Sequence, residues 1–353
     1  MSLENLENDW DSFMCGGNDY SLLSNRSDNT SLQHIPKATP ITISTKTMIS
    51  YFNQPFDLNT LFWKLPIIPY HEQSEGIIKK QIKLTSFSNE ELEYIKQKVK
   101  DEHMITTHVI SSVKDSTFKH VQKINVGLSK KDVQTNSFKE KGAFYNCIAL
   151  ILRIKENGQY KEIHLKLFNT GKTETPGIQN DYTLYYTLHL LQSILHSLIK
   201  EPLYFNKNDI HTVLINSNFN CGYFVHREKL YNILRKKYNI ISLYDPCSYP
   251  GIQCKFYYNS KHVNQNGICM CNTRCNKKGK GTGEGECIEI SFMVFRTGSV
   301  LIVGNCNLDI LNIIYEYLKT IFENEYHEIQ NGIVEKKVKP ISQKKIKKKI
   351  IYM

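Results

Sequence analysis

The sequence predicts an α+β protein built from two copies of one folding unit, in which antiparallel strands are backed by helices. A motif of strand, glycine turn and strand occurs twice, and a long amphipathic helix follows each copy. The same series of strand, short helix and further strand precedes each copy. Two such units can join their sheets edge to edge, which predicts one curved antiparallel sheet with helices on one side.

The repeated motif is the strongest evidence for a duplication. Segment 166–177 aligns without a gap on segment 293–304, and identical residues fall at four positions. These are Phe168 with Phe295, Thr170 with Thr297, Gly171 with Gly298, and Gly177 with Gly304. The helices that follow are predicted over 180–198 and 308–322, where apolar residues recur every three or four positions.

The upstream elements follow the same order in both copies. A strand and a short helix are predicted at 41–52 and 58–65, and again at 212–219 and 228–236; further strands are predicted at 147–154 and 252–258. The predicted domains are a disordered acidic segment over 1–39, a first repeat over 40–200, a second repeat over 201–332 and a basic tail over 333–353.

Charge and composition narrow the class of protein. The formal net charge is +11 although the first forty residues carry more acid than base, so the remaining body is strongly basic. A basic body favours a polyanionic partner, most commonly nucleic acid, although a lysine-rich composition from an AT-rich genome explains the charge as well. No paired carboxylates, phosphate loop or Ser/His/Asp grouping is evident, and the glycine-rich run 279–285 lacks a strand-to-helix context. The sequence therefore predicts no enzyme.

No apolar run reaches the length of a membrane span, and the first residues do not form a secretory leader. The ten cysteines are therefore expected in a reducing, intracellular compartment, as thiols or metal ligands. A second insertion, about 259–287, contains Cys269, Cys271, Cys275 and Cys287. Four thiols in so short a stretch predict a structural Zn²⁺ site, with His262 as a possible substitute ligand; a flexible glycine loop with free thiols is the alternative.

A first insertion is predicted over about 70–141. It contains a helix at 89–100 with Ser88 as its cap, and it serves either as a docking module or as a surface elaboration. The lysine-rich run 336–349 has three readings: added DNA affinity, a nuclear localisation signal, or a solvated tail.

The second repeat resembles that of TATA-box-binding proteins. The resemblance rests on segment 244–252, Tyr-Asp-Pro-Cys-Ser-Tyr-Pro-Gly-Ile, and on the later run 292–304 with its helix; segment 163–177 with its helix is similar to the same part of the first repeat. The likeness covers about 40–329 apart from the two insertions, and it is closest in kind to the forms encoded by large cytoplasmic DNA viruses. It implies a saddle-shaped α+β fold whose concave sheet binds an opened minor groove.

The resemblance also implies particular DNA-binding residues. Aromatic wedges between base steps correspond to Phe168, Phe295 and Tyr249, with Phe144 as the fourth; an alternative alignment puts Cys147 there. Strand alternation then places one set of side chains on the concave face of each repeat. In the second repeat they are Phe295, Thr297, Ser299, Leu301 and Val303, and in the first Phe168, Thr170, Lys172, Glu174 and Pro176.

Two further expectations concern this face. Asn216 or Asn218 is expected to contact central base edges, with Thr45 or Asn53 as the counterpart in the first repeat. A carboxylate at Glu174 would be repelled by DNA phosphates and would lose its hydration, which is unfavourable. The first repeat is therefore expected to bind DNA weakly, or a bulge is expected to turn Glu174 outward.

The sequence thus predicts a general transcription factor that binds and bends AT-rich double-stranded DNA through the minor groove. Its convex helices would recruit RNA polymerase-associated transcription factors. The alternative is an interaction scaffold of the same fold without DNA binding. If the protein is viral, the expected location is the viral factory or the virion in the host cytoplasm; otherwise it is the nucleus.

Overall fold

The chain divides into two compact units. The structure is a computed structural model that describes residues 35–102, 105–113, 118–134 and 144–333. The first unit is Thr47–His211, and the second consists of residues 35–46 together with 212–333. Strand β1 (Thr42–Tyr51) contributes its first half to the second unit and its second half to the first. The basic tail and most of the acidic segment lie outside the described residues.

The described part of the first unit contains one antiparallel sheet and four α-helices. Its strands are the second half of β1, β2 (Gly76–Ser86), β3 (Ile105–Val113), β4 (Lys119–Gly127), β5 (Cys147–Glu156), β6 (Gln159–Phe168) and β7 (Lys172–Ile178). Its helices are α1 (Leu58–Lys64), α2 (Asn89–Asp101), α3 (Lys130–Gln134) and α4 (Asp181–His196). The strands lie in the order β1-β7-β6-β5-β2-β4-β3.

Alternation along the strands and helical spacing along α4 build the core of this unit. Every second residue of β5, from Ile148 to Ile154, is at most 1 % exposed, and the leucines of α4 pack on them. Asn180 caps α4, because its Oδ1 accepts a 2.8 Å hydrogen bond from the Thr183 amide.

The first insertion begins later than the sequence predicts. Strand β2 lies inside the predicted insertion, yet it pairs with β5 from Gly76 to Ile82 and therefore belongs to the repeat itself. The inserted part follows as α2, β3, β4 and α3, and β4 pairs with β2 to extend the same sheet. The predicted helix is confirmed as α2, where Ser88 Oγ accepts from the Glu91 amide at 3.2 Å.

The second unit repeats the same order of elements. Its strands are the first half of β1, β8 (His211–Asn220), β9 (Tyr223–Val225), β10 (Ile241–Leu243), β11 (Ile252–Tyr258), β12 (Ile288–Val294), β13 (Ser299–Gly304) and β14 (Gln330–Ile333). Its helices are α5 (Arg227–Lys236), α6 (Leu308–Asn324) and α7 (Tyr326–Ile329). The main sheet has the order β10-β11-β12-β13-β8, followed by β1, and β9 pairs separately with β14.

Residues 35–39 take part in the packing of the second unit, although the sequence predicts disorder up to residue 39. Ile35 and Ala38 contact the core of the unit, and Thr39 donates its amide to the Asn220 carbonyl at 2.8 Å. The Tyr315 hydroxyl donates to the Thr39 carbonyl at 3.0 Å. The folded part of the chain therefore starts before the predicted boundary at residue 40.

The aligned glycine turns have the same hydrogen bonds in both units. Gly171 donates its amide to the Phe168 carbonyl at 3.1 Å, and Gly298 donates to Phe295 at 3.0 Å. The carbonyls of both glycines accept at 2.9 Å, from Phe52 in the first unit and from Cys221 in the second. Matching bonds and matching element order support the internal repeat. Each unit is an antiparallel sheet backed by helices, as the predicted α+β saddle-like fold requires.

Candidate nucleic-acid interface and metal centre

The main sheet of the second unit has one face that lacks core helices, here called the open face of the second unit. Alternate side chains, such as those of Phe292, Val300 and Ile302, point into the core and are fully buried. The intervening side chains form two rows of cross-strand neighbours on the open face. One row is Leu243, Gln253, Met293, Leu301 and Asn218, and the other is Ile241, Lys255, Ser291, Val303 and Asn216.

The two rows on this open face contain five apolar and five polar residues, of which one is charged. Lys255 is the single charged residue in the two rows, and its Nζ lies 2.7 Å from Glu289 Oε1 on the neighbouring strand. Lys255 Nζ also donates to Ser291 Oγ at 2.9 Å. Leu301 and Val303 are half-buried at the centre, where the strand period placed them. Charge within the two rows is therefore confined to Lys255, which is paired with Glu289.

Two asparagines of β8 tie the open face of the second unit to β1. Asn216 Nδ2 donates to Thr45 Oγ1 at 3.1 Å, and Asn218 Nδ2 donates to Ser44 Oγ at 2.7 Å. Asn218 Oδ1 also accepts from Thr42 Oγ1 at 2.9 Å. Of the two predicted counterparts in the first repeat, Thr45 lies next to Asn216, whereas Asn53 donates its Nδ2 to the Pro202 carbonyl in the first unit.

Phe295 and Thr297 lie in the connection between two strands of this sheet, and both are buried. Strand β12 ends at Val294 and β13 begins at Ser299, and the Phe295 amide donates to the Ser299 carbonyl at 2.9 Å. Phe295 is 1 % exposed and Thr297 is 3 % exposed. Insertion of the Phe295 ring between base steps therefore requires the ring to leave a packed site.

Tyr249, the predicted partner of Phe295, lies against it. The two ring centroids are 6.0 Å apart with the planes tilted by 59°. Gly251 leaves room for this pair, since a Cβ there would lie 2.9 Å from Phe295 Cε1 and 3.1 Å from Tyr249 Cε1. Tyr249 is half-buried, and burial raises the pKa of its hydroxyl. The two predicted wedge residues of the second repeat are thus neighbours.

The open face of the first unit, which is the sheet surface turned away from α1 and α4, has a different chemistry. The basic side chains on its strands outnumber the acidic ones. The basic residues include Lys79, Lys83, Lys123, Arg153, Lys155, Lys166 and Lys172, and the acidic ones are Glu162 and Glu174. Lys79 pairs with Asp132 of α3 at 2.7 Å, which places α3 beside one end of this face. The first open face is therefore charged and predominantly basic.

Glu174 remains on the open face of the first unit. The register pairs Lys166 with Glu174 and Leu167 with Thr173 without a shift, so no bulge turns the carboxylate outward at this point. Lys166 Nζ lies 2.7 Å from Glu174 Oε1 instead. The negative charge of Glu174 is thus neutralised by the Lys166 ammonium group, and the backbone keeps its regular strand geometry.

The predicted site residues of the first repeat cluster at one end of this face. Phe144 is 66 % exposed, Phe168 is half-buried, and Lys172 Nζ lies 5.4 Å from the centroid of the Phe168 ring. Thr170 is exposed in the turn that follows β6. Cys147, the alternative fourth wedge, is 4 % exposed, and burial raises the pKa of its thiol.

Several residues of the open faces were missed from the sequence. Met293, Leu243 and Ile241 extend the two rows of the second unit, and Tyr145 with Lys83 extends the aromatic end of the first. Strand alternation across 288–294 was a usable signal for Met293. Ile241 and Leu243 lie on a strand of three residues, which is too short to show a period.

The candidate metal centre consists of Cys269, Cys271, Cys275 and Cys287, and their Sγ atoms all lie within 4.8 Å of one another. The Cys271 and Cys287 sulfurs are 3.4 Å apart, and those of Cys269 and Cys287 are 3.6 Å apart. Tetrahedral zinc with Zn–S bonds of about 2.3 Å separates its sulfurs by about 3.8 Å, so the observed spacing fits such an ion. His262 is not a member of this group.

Surrounding residues hold the cysteine cluster in place. Asn259 is 1 % exposed, and its Nδ2 donates to the Gly283 carbonyl at 2.7 Å and to Cys287 Sγ at 3.7 Å. The Gly285 amide donates to Cys271 Sγ at 3.3 Å. N–H donors to sulfur stabilise thiolates, which are the form that binds metals.

The fold and the two surfaces describe a duplicated α+β protein with a mixed apolar and polar open face in one unit and a basic one in the other. No protein-family model matches the sequence. The chain is 24 % identical over 200 residues to a protein named TATA-box-binding protein-like from Acanthamoeba polyphaga mimivirus. That match spans 53 % of this chain and 50 % of the relative, so it reaches about half the length of each.

A solved structure named Methanococcus jannaschii TBP is 11 % identical with a TM-score of 0.37, covering 82 % of this chain and 99 % of that one. The mimivirus match supports the resemblance of this chain to a divergent viral form of the TATA-box-binding-protein-like family. No helix in the described ranges is both long and apolar enough to span a bilayer. The nine cysteines of these ranges are all free thiols.

Proposed function

We propose that this protein is a promoter-recognition transcription factor that binds AT-rich double-stranded DNA through the minor groove and bends it. The open face of the second unit is the principal contact. The observation that carries the proposal is the apolar pair Leu301 and Val303 at the centre of that face, flanked by Asn216 and Asn218. The helices behind the sheet would then recruit RNA polymerase-associated transcription factors.

The chemistry of this face suits the floor of a minor groove. The minor groove of A·T pairs offers acceptors and little else, so apolar side chains can lie against it without burying an unpaired charge. Amide groups such as those of Asn216 and Asn218 supply donors for base acceptors. Bending costs a few kcal/mol, which wider contact and phosphate neutralisation offset.

The substitution Leu301→Glu tests the duplex proposal. Because the side chain is half-buried on the open face, a carboxylate there would be pressed against the groove floor without a partner. We expect affinity for an AT-rich duplex to fall about tenfold or more, corresponding to about 1.4 kcal/mol. Fluorescence anisotropy with AT-rich and GC-rich duplexes at several salt concentrations measures affinity, and energy transfer between labelled duplex ends measures bending.

Leu308→Glu is the matched control for this test. It makes the same chemical change at a 54 % exposed position in the first turn of α6, where a carboxylate suits the helix dipole. This variant should bind and bend DNA as the unmodified protein does. Equal binding of AT-rich and GC-rich duplexes, or unchanged binding by Leu301→Glu, would reject the minor-groove mechanism.

A scaffold without intrinsic DNA binding is the second candidate function. The charges on the open face of the first unit favour it, since the Lys166–Glu174 ion pair would lose water against a groove floor. Retained binding of transcription factors by a protein that binds neither duplex would establish this alternative.

We further propose that Cys269, Cys271, Cys275 and Cys287 bind one structural Zn²⁺ ion. A shell of four thiolates leaves no open coordination position, so the ion would hold the inserted segment between β11 and β12 in one conformation. The fit of the sulfur spacing to tetrahedral coordination supports this assignment.

Metal analysis of the purified protein tests the zinc proposal. We expect one zinc per chain, loss of that zinc in Cys275→Ser and Cys287→Ser, and a lower melting temperature after chelation. Cys247→Ser is the control, because Cys247 is an exposed free thiol of the same unit and lies outside the cluster. Metal-free protein after expression in zinc-supplemented medium would contradict the proposal.

A further inference from the structure

Three aromatic rings on the open face of the first unit each have a lysine ammonium group close to them. Lys83 Nζ lies 3.5 Å from the Tyr145 centroid, Lys166 Nζ lies 4.3 Å from the Phe144 centroid, and Lys172 Nζ lies near Phe168 as described. Phe144 and Tyr145 are 66 % and 53 % exposed. Large apolar side chains with this exposure are available to stack with a ligand.

Local backbone geometry holds these rings at the start of β5. Asn146, which follows Tyr145, has φ of 57° and so turns the chain sharply before Cys147. The Asn146 carbonyl accepts from the Asn169 amide at 3.2 Å, and Cys147 pairs with Phe168 in the sheet. The two exposed rings are therefore anchored next to Phe168 by main-chain bonds.

The surrounding charge does not suit a groove floor. The register places Lys123 directly opposite Lys83, and Lys166 and Lys172 lie on β6 and β7, on the other side of β5. Pressing these ammonium groups against base edges would remove them from water without supplying an anion. A ligand with a flexible phosphate backbone places an anion within reach of each lysine while its bases remain free to stack.

We propose that the open face of the first unit binds single-stranded nucleic acid. Bases stack on Phe144, Tyr145 and Phe168, and the phosphates between them contact Lys83 and Lys172. Aromatic platforms flanked by lysines bind single strands with little sequence preference, because every base has a π-face. DNA and RNA single strands share this chemistry. The inference goes beyond duplex recognition by the second unit and does not depend on it.

Anisotropy titration of the full chain with fluorescein-labelled dT20 and rU20 tests the inference. We expect binding of at least one of them, and the ratio of the two affinities shows which strand the face prefers. Phe144→Ala/Tyr145→Ala should weaken this binding about tenfold or more, since each stacked base contributes measurably. Lys83→Gln/Lys172→Gln should lower the slope of log affinity against log salt by about 1.4, from about 0.7 per phosphate contact on a single strand.

Tyr182→Ala is the control. This ring of the same unit is 64 % exposed on α4, which packs on the opposite side of the sheet from the open face, so single-strand binding should not change. The duplex-defective Leu301→Glu should also keep its affinity for the single strand, which separates this inference from the duplex proposal.

Three results would overturn the inference. The first is binding of neither oligonucleotide by the unmodified protein. The second is equal loss in Leu301→Glu, which would assign the strand to the second unit. The third is unchanged single-strand binding in Phe144→Ala/Tyr145→Ala accompanied by lost duplex bending. That result would show that the two rings insert between the base steps of a duplex and do not stack on a single strand.

Discussion

Gly171 and Gly298 occupy equivalent turns, and the same two physical requirements select glycine at both. Their φ angles are 85° and 78°, in the left-handed region that side chains disfavour. A Cβ at Gly298 would also lie 2.2 Å from the Tyr223 carbonyl oxygen, and one at Gly171 would lie 2.5 Å from that of Gln54. Identity at these positions thus reflects a backbone contact that the sequence alignment alone does not reveal.

Gly298→Ala should lower the free energy of unfolding by about 3 kcal/mol or more, because strain in φ adds to displacement of the neighbouring strand. Gly158→Ala is the control: its φ is 76°, but a Cβ there meets nothing within 4 Å. That change should cost about 1 kcal/mol. Urea unfolding of both variants measures the difference, and equal losses would show that the carbonyl contact can relax.

At the scale of elements, Glu325 joins two helices of the second unit. It lies at the junction of α6 and α7, where it is 5 % exposed. Its Oε1 accepts from Lys237 Nζ and from the Tyr238 hydroxyl, each at 2.6 Å, just beyond the end of α5. Burial alone would raise the pKa of Glu325, but these hydrogen bonds outweigh burial and hold the pKa below its ordinary value.

This depressed pKa predicts an acid-sensitive contribution to stability. A carboxyl whose folded pKa is lowered stabilises the fold above its ordinary pKa of 4.5, and that contribution disappears as pH falls through the folded value. Glu325→Gln should therefore be less stable than the unmodified protein at pH 7, and the difference should shrink in acid. Melting curves between pH 7 and pH 3 measure it; a constant difference would exclude this carboxyl as the source.

The two units join equivalent strands by very different connections. In the first unit β5 and β6 meet at Asn157-Gly158, whose φ angles of 50° and 76° suit a tight hairpin. In the second unit the equivalent strands β11 and β12 are separated by the cysteine-containing segment. The long insertion leaves the strand pairing intact, because Ile252–Tyr258 still pairs with β12 along its whole length. The same strand connection can therefore hold either a two-residue turn or a long insertion.

At the scale of the whole molecule, the two units have open faces that differ in charge. The rows on the face of the second unit contain one charged residue, and the face of the first unit carries several lysines and exposed rings. A basic protein that carries both surfaces can combine duplex recognition with capture of an unpaired strand. Net charge supports either role through counterion release.

The sequence by itself determined the duplication, the α+β class, the long helices and the cysteine cluster. Each of these depends on local periodicity or on spacing within a few residues, which the chain displays directly. It also predicted that Leu301 and Val303 share one face of a strand, because both lie within one uninterrupted strand.

Only the tertiary structure decided where β2 belongs, that Phe295 and Thr297 are buried, and that Lys166 neutralises Glu174. These features depend on which strands become neighbours and where each strand ends. Pairing between residues distant in sequence leaves no periodic signal, and the burial of a residue such as Phe295 depends on which distant residue, here Tyr249, packs against it.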